Sequence, residues 1–477
     1  MAEKKQNSKI EFYTEYTVKN AIKNGDKYTK LSMFILGAGN FARKEFVKGV
    51  LFLLSEFVFI FEMIASGCNA LYMLTSLGSN VTGEVFNEKT QVYEYVQGDN
   101  SMLILLYGVV TIFAIMGFII IWRANIKSAY KSQLKKEKNE HIPTFKEEMT
   151  TYLDECLHKT LLFFPVMSLI IFTIMPLVYM AAMAFTNYDR DHQPPGNLFG
   201  WVGITNFKQL LSFSGELGTT FWHVLGWTIV WAVFATFTNY ILGIILAMII
   251  NRKTTKLKSF WRFNFILSVA VPQFVSLLVM STMLQPEGAV NVLLRNIGLI
   301  APGTSLPFLT NVTWARVAVI IVNIWVGVPF TLLTMTGILQ NIPEELYEAA
   351  KVDGANAVVR FIHITLPYML FVTAPSLISA FIANINNFNV IYLFTGGLPA
   401  TLDYYKMSAG KTDLLVTWLF KLTIENKDYN LGAVIAIIIF LISAVSALLV
   451  YRKTGSYKNE EGPFATWRYF CIGRKPR

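Results

Sequence analysis

Seven uncharged stretches dominate the chain: residues 101–122, 160–188, 218–251, 263–286, 317–343, 364–402 and 431–451. Each is long enough to cross a bilayer, since a helix needs about 20 apolar residues to span about 30 Å of hydrocarbon. An eighth, 49–74, meets the length requirement but carries Glu56 and Glu62. Inside hydrocarbon every backbone N–H and C=O must be satisfied within the protein, and an isolated apolar run of this length does so as a helix. The expected fold class is an all-α polytopic membrane protein with about eight transmembrane helices. The residue balance agrees: 54% of the 477 residues are hydrophobic and 15% are charged, against about 25% charged in soluble domains.

Charge in the loops orients the spans, because cytoplasmic loops retain Lys and Arg. Residues 251–262 carry Arg252, Lys253, Lys256, Lys258 and Arg262 with no acid, and 123–138 carry Arg123 and five lysines against Glu137. The C-terminal segment is also basic. The alternate loop 76–100 has one Lys against Glu84, Glu88, Glu94 and Asp99, and loops 186–217 and 287–312 are poor in Lys and Arg. The pattern predicts both termini in the cytoplasm, and it accounts for a net charge of +10 with no nucleic-acid partner.

The opening "MAEKKQNSKIEFYTEYTVKN" has no apolar core followed by a small-residue cleavage site, so a retained tail is expected. Residues 29–48 mix basic and apolar positions and predict an interfacial amphipathic helix. Gly37-Ala38-Gly39 within them lacks the strand and third glycine of a dinucleotide loop. Cys68, Cys156 and Cys471 are too far apart for a disulfide framework or zinc spacing, and the five histidines are scattered, so a membrane enzyme has no support. Gly410-Lys411-Thr412 mimics the end of a phosphate loop, but the first glycine of that motif would fall on Tyr405. The chain is expected to hold no cofactor of its own. The expected organisation is a tail and interfacial helix (1–48), two N-terminal spans (49–123), a cytoplasmic linker (124–158), a six-helix core (159–452) and a second tail (453–477).

Between the sixth and seventh spans lies "EELYEAAKVDGANAVVRFIHITLP", residues 344–367. Asn341 is expected to cap a helix that has Pro343 in its first turn and runs to about Val352, with Glu344 completing a capping box. Gly354 supplies a left-handed stop. A second helix over 355–365 then leads back to the membrane, with Pro367 in the first turn of the seventh span. Ala349 and Ala350 leave a low surface between acidic Glu344, Glu345, Glu348 and Asp353 and basic Lys351 and Arg360. By composition alone this is an amphipathic surface loop.

The spacing says more. Glu348-Ala349-Ala350, three residues, Gly354, nine residues and Ile364-x-Leu366-Pro367 resemble the EAA loop of ABC importer permeases at every fixed position. The resemblance implies the type I ABC importer permease fold, with 341–367 docking into a separate ATPase through Glu348, Ala349, Ala350, Asp353 and Gly354. ATP and Mg would be bound by two partner ATPase subunits. From about 160 to 455 the chain also resembles the larger permease subunit of maltose/maltodextrin importers, in "VGITNFKQLL" (202–211), "VDGA" (352–355), "NINNF" (384–388), "GGLP" (396–399) and "TDLLV" (412–416). This implies a multi-pass protein of the bacterial cell membrane that pairs with a second, shorter permease and receives sugar from an extracellular sugar-binding lipoprotein.

Polar residues inside spans are expensive and often functional. Asn323, Gly327 and Phe330 fall at i, i+4 and i+7, hence on one helix face; Asn384 and Asn387 are i, i+3 neighbours. Amides donate and accept, rings stack on C–H faces, and no lone charge marks either face. The set suits a neutral polyhydroxyl ligand. Read as residues only, the asparagines are equally well helix–helix glue, at about 0.6–2 kcal/mol per bond. The resemblance places the sugar among these five positions and implies maltose or maltodextrin. Two departures stand against a complete match. Ala380 and Ala383 occupy positions where a hydroxyl and a ring are expected, and 186–217 is too short for a large external domain. Glu56 and Glu62 leave a proton-coupled secondary transporter as the competing reading, beside interface placement or interhelical pairing.

Overall fold

The computed structural model describes residues 16–87, 91–252 and 254–452. The expectations for most of the N-terminal tail and for 453–477 lie outside the described residues. The chain forms two compact units, one running to Gly203 and one beginning at Ile204.

The first unit opens with α1 (Val18–Asn24), α2 (Lys27–Leu31) and α3 (Ala38–Phe41), where a single amphipathic helix was expected over 29–48. That expectation is corrected by Gly37. Helix α2 ends at Leu31, and Gly37 caps the start of α3 with a left-handed φ of +83°; its missing Cβ lets the backbone of Gly49 close in, so the chain turns here and does not run on as one helix. Thr17 and Asp26 cap α1 and α2 with their side chains, as short polar residues do. Next comes α4 (Phe46–Leu74), long and apolar enough to span, with a π turn at Met63–Gly67. An antiparallel hairpin of β1 (Gly83–Asn87) and β2 (Val92–Val96) follows, with Gly83 opposite Val96. It adds a β element to a fold expected to be purely helical. The Asp99 carboxylate closes its base by accepting from Ser79 N and Asn80 N at 2.8 and 2.9 Å. Then α5 (Ser101–Glu137) runs well past the apolar stretch, α6 (Phe145–Leu153) begins with a capping box between Thr144 and Glu147, and α7 (Leu157–Met183) forms the next span.

The second unit contains α8 (Thr205–Leu211), α9 (Glu216–Asn251), α10 (Lys258–Ala270), α11 (Gln273–Met283), α12 (Ala289–Asn296), α13 (Val312–Leu339), α14 (Glu344–Val352), α15 (Ala357–Ile385), α16 (Phe388–Val390), α17 (Leu415–Ile424) and α18 (Tyr429–Tyr451). Helices α10 and α11 meet at 87°. Pro272 causes the break: it lacks an N–H and pushes the preceding residue out of the helical region, and Val271 is extended at ψ 125°. Counting that pair as one, the described residues hold eight candidate spans. The uncharged run 364–402 is not one span, however. Helix α15 stops at Ile385, Asn387 caps α16 through its side chain, and a π turn ends at left-handed Gly396.

The post of this unit is α9. Its Trp227, Trp231 and Ala235 pack with Leu277, Val319, Val390 and Phe394 in one buried cluster. Lower down, Tyr240, Ile244 and Ala247 pack with Leu332, Met335, Ile342 and Met369 in another.

Candidate translocation seam and coupling elbow

Four of the five expected sugar-site residues converge on the middle of α9. Asn384 Nδ2 donates to Thr236 Oγ1 at 3.0 Å, Trp231 Nε1 donates to Asn384 O at 3.0 Å, and Asn387 Nδ2 donates to Asn384 Oδ1 at 3.3 Å. Asn323 is buried and donates to Ala235 O at 3.5 Å. Gly327 faces Asn239, whose amide occupies the space a Cβ at 327 would take. These bonds close a polar seam among α9, α13 and α15. The Asn239 Oδ1 within it is buried without a hydrogen-bond partner. Sequence reasoning missed Asn239 and Thr236; an uncharged amide and hydroxyl in the middle of a long apolar helix were the available signal.

Phe330 does not join them. It is 68% exposed, although it lies on the same helical stripe as Asn323. The reason is a change of face along α13. In its first half Ala315, Val319, Val322 and Asn323 are buried; in its second half Val328, Leu332, Met335 and Thr336 are. At about 100° per residue the centre of the buried face swings by roughly 110° between the two halves, away from the stripe that carries Asn323 and Phe330. The stripe that is core above Gly327 is therefore surface below it.

The elbow is built on exposed residues with a buried root. Helix α14 runs from Glu344 to Val352 as expected, but its N-cap is Pro343 with no side-chain bond, so the expected Asn341 capping box is absent. Asn341 instead offers its carbonyl to Tyr368 Oη at 3.4 Å. Gly354 adopts φ +78°, the left-handed stop. The cap that does form is Asn356, which accepts from Val359 N at 2.9 Å and starts α15. Tyr347 Oη meets Thr365 Oγ1 at 2.9 Å, tying the two limbs together, and Ile342 anchors them in the lower cluster. Glu348, Ala349, Asp353 and Gly354 are exposed and Ala350 is half-buried. Val352 at 88% exposed and Val358 at 63% add an apolar surface beside them.

The phosphate-loop mimic is explained by packing. Asp413 is fully buried, accepts from Gly410 N at 2.7 Å and pairs with Lys421 at 2.7 Å. The Lys411 ammonium sits 4.0 Å from the Tyr404 ring centroid. Gly410 thus serves an internal carboxylate. Glu56 accepts from Leu36 N at 2.8 Å, and Glu62 takes a bond from Ser66 Oγ at 3.2 Å.

Residues 239–453 match the family of the binding-protein-dependent transport system inner membrane component. Over 436 residues the chain is 34% identical to the galactooligosaccharides transport system permease protein GanP of Bacillus subtilis (strain 168), covering 90% of this chain and 98% of that one. It is 35% identical over 437 residues to the maltodextrin transport system permease protein MdxF of the same organism, covering 90% and 96%. With the maltose/maltodextrin transport system permease protein MalF of Vibrio parahaemolyticus serotype O3:K6 it shares 35% identity over 258 residues, which span 53% of this chain and 48% of that protein.

Proposed function

Because the chain belongs to the family of inner-membrane components of binding-protein-dependent transport systems, we propose that it is the larger permease of an ATP-driven importer of neutral oligosaccharides, maltodextrins first. Two relatives are named for maltodextrin or maltose and one for galactooligosaccharides, which supports the substrate class. The observation that carries the coupling role is the elbow: the Glu348–Gly354 surface is exposed while Ile342 and Tyr347 tie it to the core around α9.

In this mechanism two partner ATPases, which hold ATP and Mg, close on residues 344–365. The motion passes through the Tyr347–Thr365 contact into α15 and then to α9. Asn384, Asn387 and Asn323 exchange their internal bonds for sugar hydroxyls as the seam opens. Such an exchange is nearly balanced in free energy, because a hydrogen bond is replaced and not lost. Phe330 offers a ring face to the sugar from the exposed side of α13. A second, shorter permease supplies the other wall, an extracellular binding lipoprotein delivers the sugar, and both termini lie in the cytoplasm of the bacterial cell. The ion-coupled alternative loses its motive at Glu56, whose carboxylate is engaged by a backbone N–H.

The test is reconstitution of the chain with its partner subunits and binding protein in vesicles. Gly354→Asp should abolish ATP-driven maltodextrin uptake while leaving the chain inserted and assembled. Normal uptake by that variant would remove the elbow from the mechanism. Uptake of galactooligosaccharides but not maltodextrins would redirect the substrate and leave the coupling intact.

A further inference from the structure

The turn between α2 and α3 is held in an unusual way. Four of its backbone groups bond to side chains of α4 and α5. Leu36 N donates to Glu56 Oε2 at 2.8 Å and Gly37 N to Asn125 Oδ1 at 2.9 Å. Asn125 Nδ2 donates to Ser32 O at 2.8 Å, and Trp122 Nε1 to Met33 O at 2.9 Å. A turn lying in water would need no such partners; a turn shielded from water needs them all. Between these clamped positions the tip presents Phe34, 79% exposed, and Ile35, 49% exposed.

The level of the turn follows from the two spans it rests on. Phe59 of α4 and Phe118 of α5 stack with centroids 3.9 Å apart, which registers the antiparallel helices. Counting from that pair at 1.5 Å per residue, Asn125 lies about 10 Å and Gly49 about 15 Å toward the basic end of α5, within one helical turn of each other. That zone is just beyond Trp122 and Arg123, where the uncharged run of α5 ends. Trp marks the boundary between headgroups and acyl chains, and the basic run that follows belongs outside the hydrocarbon. Side chains on a helix lean toward its N-terminus, so Glu56 reaches back from the span to this same boundary.

We propose that residues 33–36 form a wedge in the membrane, with Phe34 and Ile35 among the acyl chains of the leaflet at the basic end of α5, and that Glu56 and Asn125 hold it there. Gly37 and Gly49 make the arrangement possible, since a Cβ on Gly37 would overlap the Gly49 backbone and one on Gly49 would strike the Phe41 ring. Glu56 is then a positioning residue that satisfies backbone at the membrane boundary, and its presence in a span needs no proton transfer.

The proposal is tested on the full chain assembled with its partner subunits in vesicles of phosphatidylethanolamine and phosphatidylglycerol. With Cys68, Cys156 and Cys471 replaced by serine, nitroxide labels are placed at Phe34→Cys, Ile35→Cys and, as a control, exposed Lys30→Cys. Collision with oxygen should exceed collision with a water-soluble nickel chelate several-fold at 34 and 35, with the order reversed at 30. Chelate access at 34 equal to that at 30 would overturn the wedge. Exclusion of both reagents would assign the tip to a protein contact and overturn it equally. Glu56→Ala should raise the mobility and the chelate access of the label at 34 at least twofold, while Glu56→Gln, which keeps an acceptor oxygen, should stay close to the parent. Asn125→Ala provides the same readout should Glu56→Ala fail to accumulate; an unchanged label in either variant would show that these side chains do not hold the turn.

Discussion

At the scale of single residues, Gly327 and Lys406 show how an unremarkable position acquires a role. Gly→Ala in a helix interior normally stabilises by about 0.8–1 kcal/mol. At Gly327 the added methyl would overlap the Asn239 amide, so Gly327→Ala should instead destabilise by about 1–3 kcal/mol, the usual cost of overpacking. Thermal unfolding in detergent checks the sign, and Gly327→Ala combined with Asn239→Ala should recover most of the loss. Lys406 makes bonds of 2.9 and 2.8 Å to both oxygens of buried Asp428. Burial pulls its ammonium pKa down, but the bonds and charge attraction of Asp428 and Tyr405 together outweigh burial and the net shift is upward. A raised lysine pKa stabilises the fold fully below its unfolded value, about 10.4, and the contribution fades as pH rises through the folded value. The Tm difference between the parent and Lys406→Met should therefore be constant from about pH 6 to 9 and shrink only above about 10.5. A difference that changes near neutrality would mean another group governs the pair.

At the scale of elements, the elbow and α13 separate what spacing can reveal from what it cannot. Helix α14, its end at Val352 and the Gly354 stop were legible because each rests on local chemistry: helix formers, then a residue free to take positive φ. The cap was misplaced, since both Asn341 and Asn356 have suitable side chains and only the path of the chain selects one. Tyr347 and Thr365 were not legible as a pair because nothing local joins positions on two limbs of a bend. Loss of their contact should cost about 0.5–1.5 kcal/mol. Tyr347→Phe and Thr365→Val should each lower sugar moved per ATP hydrolysed, and the double variant should be no worse than either single one. Additive losses would show that the two residues act separately. The stripe of Asn323, Gly327 and Phe330 was drawn correctly as helix geometry. It did not become one buried face, because α13 turns a different side to its neighbours after Gly327.

At the scale of the whole molecule, sidedness is the property most open to direct measurement. Leu402 is 82% and Val352 88% exposed, on opposite sides of the membrane by the loop-charge reading. In a background without the native cysteines, a membrane-impermeant maleimide should label Leu402→Cys on intact cells and Val352→Cys only after permeabilisation. The reverse order would invert the proposed topology. Hydrophobic runs determined the class, the candidate crossings and the position of the elbow between two of them, because hydrocarbon permits an isolated apolar run little besides a helix and its length is then fixed by bilayer thickness. The seven-position spacing of the elbow determined the family expectation. Tertiary structure alone decided that the asparagines of α13 and α15 close onto α9, that Phe330 stays outside, and that Glu56 serves a backbone N–H twenty residues away in sequence. The physical reason is that a hydrogen bond or a close packing contact depends on where two distant segments meet, and composition and periodicity carry no record of that meeting.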